Sequence, residues 1–282
     1  MPYSYRTLTE TLTRAGIDEA SDEALLILTH TCGVTASTLF SDRDRIFDDE
    51  TLDELVRRRC ERYPLQYLFG EWDFFGCCFH VNEHCLIPRP DTEILVEEAI
   101  RLLPQGAHVV DLCTGSGCIA VATLHQRLDV TVDALELYPE TLDIATRNAE
   151  ANGVANRFTP ILADLLQGGA ERLLPRSPYD AVLSNPPYIR TTDIPPLAPE
   201  VHYEPVAALD GGEDGLIFYR AILRSYAPLV KPGGHILFEI GYDQANDLRT
   251  LVHEYVPDAT VRILSDLAGN DRVVVITLPE GA

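Results

Sequence analysis

The segment whose residue types are best suited to chemistry is Asn185-Pro186-Pro187-Tyr188, which we call the amide clamp and which follows a predicted strand at 180–184. The two prolines fix the backbone and remove two N–H donors, so the carbonyl oxygens of Asn185 and Pro186 can face an incoming NH2 group. The side-chain oxygen of Asn185 is a further acceptor, and the ring of Tyr188 supplies a flat apolar face. Together these groups are suited to hold a planar amide or an aromatic amine.

Such a clamp favours transfer of a group to the nitrogen that it holds. An amide nitrogen is a poor nucleophile because its lone pair is delocalised. If both of its hydrogens are held, the lone pair can point at an electrophilic methyl group, and transfer follows by in-line displacement that proximity and orientation assist. We therefore predict catalytic and substrate-binding roles for all four residues of the amide clamp.

A second candidate region is the run Cys113-Thr114-Gly115-Ser116-Gly117 at the end of a predicted strand, which we call the cofactor loop. Its small residues allow a sharp turn and a close approach to a ligand. A helix that begins at about Gly117 would point its N–H groups at that ligand. Only two glycines are present, so the G-x-G-x-x-G spacing of dinucleotide-binding enzymes is absent and an NAD-dependent enzyme is disfavoured.

Two acidic residues end the next two predicted strands. Glu136 lies about twenty residues beyond the glycines, where a carboxylate can accept hydrogen bonds from two ribose hydroxyls. Asp164 could accept a hydrogen bond from an adenine amino group. Each of them alone could be a surface carboxylate, but three consecutive strand ends with suitable groups support a nucleoside-binding site.

The elements that must position these residues alternate between strand and helix. The hydrophobic pattern predicts helices at 92–103, with Asp91 as N-cap, and at 119–128 and 139–152, the last closed by Gly153. It predicts strands at 109–112, 130–136, 158–163, 180–184 and 235–240, and a terminal antiparallel pair at 261–264 and 273–277. This alternation predicts a doubly wound sheet, which binds ligands beyond the carboxyl ends of its strands.

The sequence before residue 89 predicts two smaller regions, one helical and one a β-hairpin. Leucines at helical spacing predict helices over residues 1–70, with one helical stretch running through Leu39. Alternating aromatic and β-branched residues predict a hairpin with its turn near Asn82 and Glu83. We therefore expect a helical domain at 1–70, a hairpin linker at 71–88 and a catalytic domain at 89–282.

A cluster of cysteines and histidines at 77–85 contains residue types that bind zinc. Successive side chains of a strand point to opposite faces, and paired Cys-x-x-Cys knuckles are absent. We therefore predict ordinary strand residues and no metal site.

Composition limits the partners. Lys+Arg is 22 and Asp+Glu is 44, which gives a net charge of −22 that repels nucleic-acid phosphates. The N-terminal residues lack an apolar signal core, and no run approaches the ~18 apolar residues of a membrane span. The seven cysteines have no disulfide-like rhythm. We therefore expect a cytoplasmic, reduced monomer that binds neither DNA nor a membrane.

Taken together, the Asn-Pro-Pro-Tyr segment and the D-L-C-T-G-S-G loop resemble those of amino-methylating class I methyltransferases. Further motifs resemble one branch, the peptide chain release factor glutamine methyltransferases of the PrmC or HemK family. These motifs are P-L-Q-Y-L with Gly70, L-I-P-R-P-D-T-E at 86–93, E-P through L-D-G-G at 204–212, and D-L-A-G-N-D-R at 266–272. The resemblance extends from about residue 57 to residue 277.

The resemblance implies a class I methyltransferase fold of the α/β class, Rossmann-like with a mixed seven-stranded sheet and a small N-terminal helical domain that binds substrate. It implies S-adenosyl-L-methionine as methyl donor and S-adenosyl-L-homocysteine as product. The implied reaction is protein methylation at the side-chain nitrogen N5 of the glutamine in the Gly-Gly-Gln motif of release factors, the proteins of translation termination.

The resemblance also implies a role for each candidate residue. The cofactor loop, Cys113 to Gly117, and Glu136 would hold the methionine and ribose parts of the cofactor, and Asp164 and Leu165 would flank its adenine. The amide clamp would hold the glutamine amide, with Asn185 also at the cofactor. Arg89 and Pro90 would close over the cofactor.

Two positions depart from the family pattern. Cysteine at 113 stands where glycine is usual and resembles a sister group that methylates a ribosomal protein glutamine, and Glu136 stands where aspartate is usual. A DNA amino-methyltransferase would use the same clamp on a flipped base, but the net charge of −22 and the lack of a Lys/Arg-rich insert disfavour it. A nonenzymatic ribosome- or factor-binding protein with this fold is a further alternative, which the intact clamp disfavours.

Overall fold

The computed structural model describes residues 2–281, and the chain divides into two compact units. The first unit holds the residues up to Gly70 together with Ala198–Tyr203, and the second unit holds the rest. Within the described residues, no helix is both long and apolar enough to cross a membrane.

The first unit is helical. Its helices are α1 (Tyr5–Arg14), α2 (Ala20–Cys32), α3 (Ala36–Ser41), α4 (Glu50–Cys60) and α5 (Leu65–Phe69). The stretch predicted to run as one helix through Leu39 is two helices, because the chain turns at Gly33, whose φ is 62°. At the start of α4, the side chain of Asp49 accepts hydrogen bonds from the N–H groups of residues 51 and 52, which satisfies two donors of the first turn.

The core of the first unit is a cluster of buried apolar side chains, among them the fully buried Leu8, Leu12 and Leu52. Burying each such side chain contributes about 1.5–3 kcal/mol. The guanidinium of Arg59 donates to the carboxylates of Glu23 and Glu200, with the Arg59 residue only 4% exposed. This buried fork fixes the segment Ala198–Tyr203 on the helices of the unit.

The second unit contains nine strands and five α-helices among the described residues. In chain order they are β1 (Glu71–Phe74), β2 (Cys77–His80), α6 (Glu93–Leu102), β3 (His108–Leu112), α7 (Cys118–Gln126), β4 (Thr131–Glu136), α8 (Pro139–Ala151), β5 (Phe158–Leu162), β6 (Tyr179–Ser184), α9 (Ile217–Ser225), β7 (Val230–Glu239), α10 (Ala245–Tyr255), β8 (Thr260–Ser265) and β9 (Asp271–Thr277). The pattern did not predict α9 and α10.

Seven of these strands form one sheet in the order β5-β4-β3-β6-β7-β9-β8. Strands β3 to β7 pair in parallel, whereas β9 is antiparallel to both of its neighbours. The predicted mixed seven-stranded sheet is confirmed. Because the chain steps from β3 to β4 on one side and returns to β6 on the other, the order reverses at β3, and ligands bind at such switch points.

Two local predictions were wrong. The hairpin turns at Phe75 and Gly76, which both have positive φ. The chain also turns near Asn82 and Glu83, where the N–H of Cys85 donates to the Asn82 carbonyl at 3.1 Å, but that turn does not join the two strands of the hairpin. Helix α6 has no cap from Asp91, because a 3-10 turn at Pro90–Thr92 precedes it and Thr92 occupies the cap position.

The hairpin belongs to the second unit. The side-chain oxygen of Asn148 accepts from the N–H of His80 at 2.7 Å, and its side-chain nitrogen donates to the His80 carbonyl at 3.0 Å. The same nitrogen donates to the carbonyl of Ser116 at 2.8 Å. One fully buried asparagine on α8 therefore holds both β2 and the cofactor loop.

Candidate active site

A cleft opens at the carboxyl ends of β3, β4, β5 and β6, the place where doubly wound sheets bind ligands. It brings together nine of the twelve predicted site residues. These are Cys113, Thr114, Gly115, Ser116, Glu136, Asp164, Leu165, Asn185 and Pro187. The other three, Gly117, Pro186 and Tyr188, do not line the cleft.

The cofactor loop is a tight turn held by local hydrogen bonds. The hydroxyl of Thr114 donates to the buried carboxylate of Asp111 at 2.5 Å, and the N–H of Gly117 donates to the Thr114 carbonyl at 2.8 Å. A Cβ at Gly117 would lie 3.1 Å from the Cβ of Ala145. Gly117 therefore serves the close packing of α7 on α8 and does not line the cleft.

Glu136 connects the ends of β3 and β4. Its carboxylate accepts from the N–H of Gly115 at 3.0 Å, of Leu137 at 2.8 Å and of Tyr138 at 3.2 Å. Burial raises the pKa of Glu136, and these three N–H groups oppose the shift. The carboxylate thus shapes the cofactor loop in addition to facing the cleft.

The groups that line this part of the cleft fit a nucleoside with an amino-acid portion. The carboxylates of Glu136 and Asp164 can accept from hydroxyl and amino groups, and the hydroxyls of Thr114 and Ser116 can bind a charged amino-acid end. Leu165, only 6% exposed, supplies an apolar wall for a flat base. The side chain of Asp164 is fixed by the N–H of residue 166, which donates to it at 2.9 Å.

The amide clamp begins where β6 ends. Its first residue, Asn185, lines the cleft and donates from its side-chain nitrogen to the hydroxyl of Thr92 at 3.3 Å. Just before it, the hydroxyl of Ser184 donates to the carbonyl of Leu112 at 2.6 Å, which ties the ends of β6 and β3 together. The clamp and the cofactor loop are therefore held side by side at the switch point.

Tyr188 is fixed from two sides. The side-chain nitrogen of Gln244 donates to its carbonyl at 3.0 Å, and its hydroxyl donates to Glu239 at 3.3 Å. Behind it, a Cβ at Gly215 would lie 2.5 Å from the Tyr188 carbonyl oxygen, so only glycine fits there. Burial, followed by the Glu239 carboxylate, raises the pKa of the Tyr188 hydroxyl.

Several residues around the site were missed by the sequence analysis. Thr92 and Glu239 are each 1% exposed and contact the clamp directly, yet the pattern indicated only a helix start and a strand. Glu204 is buried and accepts from the N–H of Ile87 at 3.0 Å and from the guanidinium of Arg89. Burial raises the pKa of Glu204, and Arg89 opposes that shift.

Arg89 lines the cleft, whereas Pro90, which the resemblance also placed over the cofactor, does not. The E-P motif at 204–205 was the available signal for the partner of Arg89. For Glu239 there was none, because an acid inside an apolar strand does not reveal its partners.

Cys77, Cys78 and His80 of this cluster lie on β2, with Cys77 buried and Cys78 exposed, whereas His84 and Cys85 lie beyond the end of that strand. Over residues 2–281, no group of three or more His, Cys, Asp or Glu side chains is placed to hold a metal ion.

Comparison with known proteins adds independent findings. Residues 5–70 match the family model for the PrmC N-terminal domain, and residues 90–200 match that for the methyltransferase small domain. The release factor glutamine methyltransferase of Geobacter sulfurreducens is 42% identical over 238 residues, which are 83% of this chain and 81% of that protein. That of Cereibacter sphaeroides is 40% identical over 272 residues, 95% of each chain.

Among solved structures, a methyltransferase from Pyrococcus furiosus is similar in fold with a TM-score of 0.55 at 19% identity, over 74% of this chain and 91% of that one. The predicted class I methyltransferase fold is thus confirmed.

Proposed function

Because the chain belongs to the release factor glutamine methyltransferase family, we propose that it transfers a methyl group from S-adenosyl-L-methionine to the side-chain nitrogen N5 of the glutamine in the Gly-Gly-Gln motif of peptide chain release factors. The observation that carries this proposal is the position of Asn185 and Pro187 in the wall of the cleft, next to the cofactor loop. A clamp for a planar amide there faces the place where a methyl donor would bind.

The residues of the cleft fit the methyl donor. S-adenosyl-L-methionine supplies an electrophilic methyl group when bound, and it leaves as S-adenosyl-L-homocysteine. Glu136 would accept from its ribose hydroxyls, and Asp164 with Leu165 would flank its adenine. The cofactor loop, from Cys113 to Gly117, would turn closely around the methionine portion, since its small residues allow a close approach.

The amide clamp would act on the glutamine. The side-chain oxygen of Asn185 and the carbonyls that precede the two prolines hold both hydrogens of the amide nitrogen. This hold would direct the nitrogen lone pair at the electrophilic methyl group that the bound donor supplies. A proton then leaves the nitrogen for solvent. Tyr188 supports the clamp from its other end, so alignment supplies most of the assistance.

Three further assignments belong to the proposal. The first unit would bind the release factor, while the second unit carries the chemistry. The protein would act as a monomer and would not bind DNA, in keeping with its net charge of −22. Since release factors act in translation, the enzyme would act in the cytoplasm.

The test is methyl transfer from labelled S-adenosyl-L-methionine to a purified release factor, to the same factor with its tip glutamine changed to alanine, to a ribosomal protein fraction and to duplex DNA. Label in the intact factor alone is the expected result. Label in DNA would identify an amino-methyltransferase of bases, and label only in ribosomal protein would identify a different glutamine substrate.

A further inference from the structure

The proposed mechanism gives no role to Glu239, a buried acid beside the amide clamp. Glu239 ends β7 and is 1% exposed. One of its carboxylate oxygens, Oε2, accepts from the hydroxyl of Thr92, and the other, Oε1, accepts from the hydroxyl of Tyr188 at 3.3 Å. Its backbone carbonyl accepts from the hydroxyl of Tyr219 at 2.8 Å, which fixes the strand end. Both carboxylate oxygens are therefore engaged by groups that touch the amide clamp.

The direction of these hydrogen bonds determines which atom of Asn185 faces the cleft. A threonine hydroxyl has one hydrogen, and Thr92 donates it to the Glu239 carboxylate. Its oxygen can then only accept, so Asn185 must turn its side-chain NH2 toward Thr92. The side-chain oxygen of Asn185 is thereby left for the cleft, as an acceptor for an N–H of the substrate amide.

We propose that Glu239 is a positioning residue that, through Thr92, sets the hydrogen-bond direction of the amide clamp and so makes it select an NH2 group. The inference rests on the proposed amide methylation for its substrate, but the orientation of Asn185 is a property of the chain alone. Tyr188 completes the arrangement, because the same carboxylate holds its hydroxyl.

Loss of the charge on Glu239 would remove this constraint. A protonated Glu239 could donate to Thr92, whose hydroxyl could then donate to the Asn185 oxygen and leave the asparagine NH2 facing the cleft. The NH2 group of the substrate would then face the NH2 group of Asn185, and neither can accept a hydrogen bond from the other. Burial raises the pKa of Glu239 to about 7, with Thr92, Arg272 and Tyr188 opposing the shift and the carboxylate of Asp91 favouring it.

The charged and titratable groups that face Glu239 come from several elements. They are Asp91 before α6, Cys118 at the start of α7, Tyr188 in the clamp, Tyr219 on α9 and Arg272 on β9. Asp111 also has a pKa raised to about 7, by burial first, and it lies behind the cofactor loop. A pH profile of activity must therefore distinguish the ionisation of Glu239 from that of Asp111.

The first experiment removes the hydroxyl of Thr92, which connects Glu239 to Asn185. Thr92→Val keeps the side-chain volume but removes the hydroxyl, and we expect kcat to fall by about tenfold or more while the affinity for S-adenosyl-L-methionine changes by less than about twofold. Thr92→Ser keeps the hydroxyl and should recover most of the loss. Equal kcat values for the wild type and Thr92→Val would overturn the proposal.

The second experiment measures kcat as a function of pH. Wild-type kcat should rise as pH increases through about 7, and this rise should vanish in Glu239→Gln but persist in Asp111→Asn. The same rise in Glu239→Gln would show that another group controls the clamp.

The third experiment needs no substrate. In the NMR spectrum of the free protein, the side-chain NH2 signals of Asn185 should shift as pH passes through about 7, and they should not do so in Glu239→Gln. Shifts without any transfer to release factors would refute the proposed function and leave the clamp orientation standing. If the NH2 chemical shifts of Asn185 changed neither with pH nor with Thr92→Val, the inference would be refuted.

Discussion

The two halves of the cleft are built in different ways. The cofactor loop is held by groups within 32 residues of it in the sequence, such as Glu136 on the Gly115 N–H and Asn148 on the Ser116 carbonyl. The amide clamp is held by residues from more distant parts of the chain, Thr92, Gln244 and Glu239. Contacts of shorter range therefore set the cofactor side, whereas contacts of longer range set the clamp side.

The largest expected contrast is between two glycines. Gly215→Ala would place a Cβ 2.5 Å from the Tyr188 carbonyl oxygen, whereas a Cβ at Gly115 has no neighbour within 4 Å. Both have positive φ, which costs a side chain about 1–2 kcal/mol, and the collision at 215 adds about 1–3 kcal/mol. Urea unfolding should show the larger loss for Gly215→Ala. Equal losses would contradict the view that the clamp is held by close packing.

Each half contains an acid that is at most 1% exposed, Asp111 or Glu239, and this predicts how stability depends on pH. Burial raises the pKa of Asp111 and of Glu239 to about 7, above their ordinary values in the unfolded chain. The folded state then holds protons that the unfolded state has released, so the free energy of unfolding falls as pH rises from about 4 through 7.

Asp111→Asn should remove the part of this pH-dependent loss of stability that Asp111 causes. That part is roughly 2–4 kcal/mol, at about 1.4 kcal/mol per pKa unit. Denaturant unfolding at several pH values measures it, with the exposed Asp143→Asn as control. If the free energy of unfolding of Asp111→Asn exceeded that of the wild type by an amount that did not grow with pH, Asp111 would ionise as an ordinary aspartate does.

Asn185→Ala should separate the two halves functionally. It removes an acceptor and leaves a donor of the substrate amide unpaired, which costs about 1–3 kcal/mol, or a fall in kcat of about 5- to 150-fold. The affinity for S-adenosyl-L-methionine, measured by calorimetry, should weaken less. Asn246→Ala, on the exposed face of α10, is the matched control. Normal turnover in Asn185→Ala would rule out the amide clamp.

The smallest effect is expected at the far end of the clamp. Tyr188→Phe loses only the hydroxyl that donates to Glu239 at 3.3 Å, a net loss of about 0.5–1.5 kcal/mol. Steady-state kinetics should show a fall in kcat of a few-fold with the cofactor affinity unchanged. Tyr242→Phe, with an exposed ring, controls for removal of a phenol. A fall as large as that of Asn185→Ala would mean that Tyr188 does more than support the clamp.

The same contrast explains what the sequence could predict. The common location of the cofactor loop, Glu136 and Asp164 could be predicted because they lie at the ends of recognisable strands, and strand ends meet at one edge of a parallel sheet. The clamp was predicted from a contiguous motif. Its support by Thr92 and Glu239 could not be found, because it joins residues 147 positions apart and depends on the register of β7.

Local chemistry produced the errors as well. Asp91 is a residue type typical of helix N-caps, but the 3-10 turn at Pro90–Thr92 moves the helix start past it. The hairpin turn was misplaced because Phe75, a poor turn former, adopts positive φ beside Gly76.

The most direct test of the account is to map the methyl group by tandem mass spectrometry on a release factor treated with the enzyme and S-adenosyl-L-methionine. The account predicts one methyl group on the side-chain nitrogen of the glutamine in the Gly-Gly-Gln peptide, and none when Asn185→Ala replaces the wild-type enzyme. A methyl group on another residue, or equal methylation by Asn185→Ala, would contradict it.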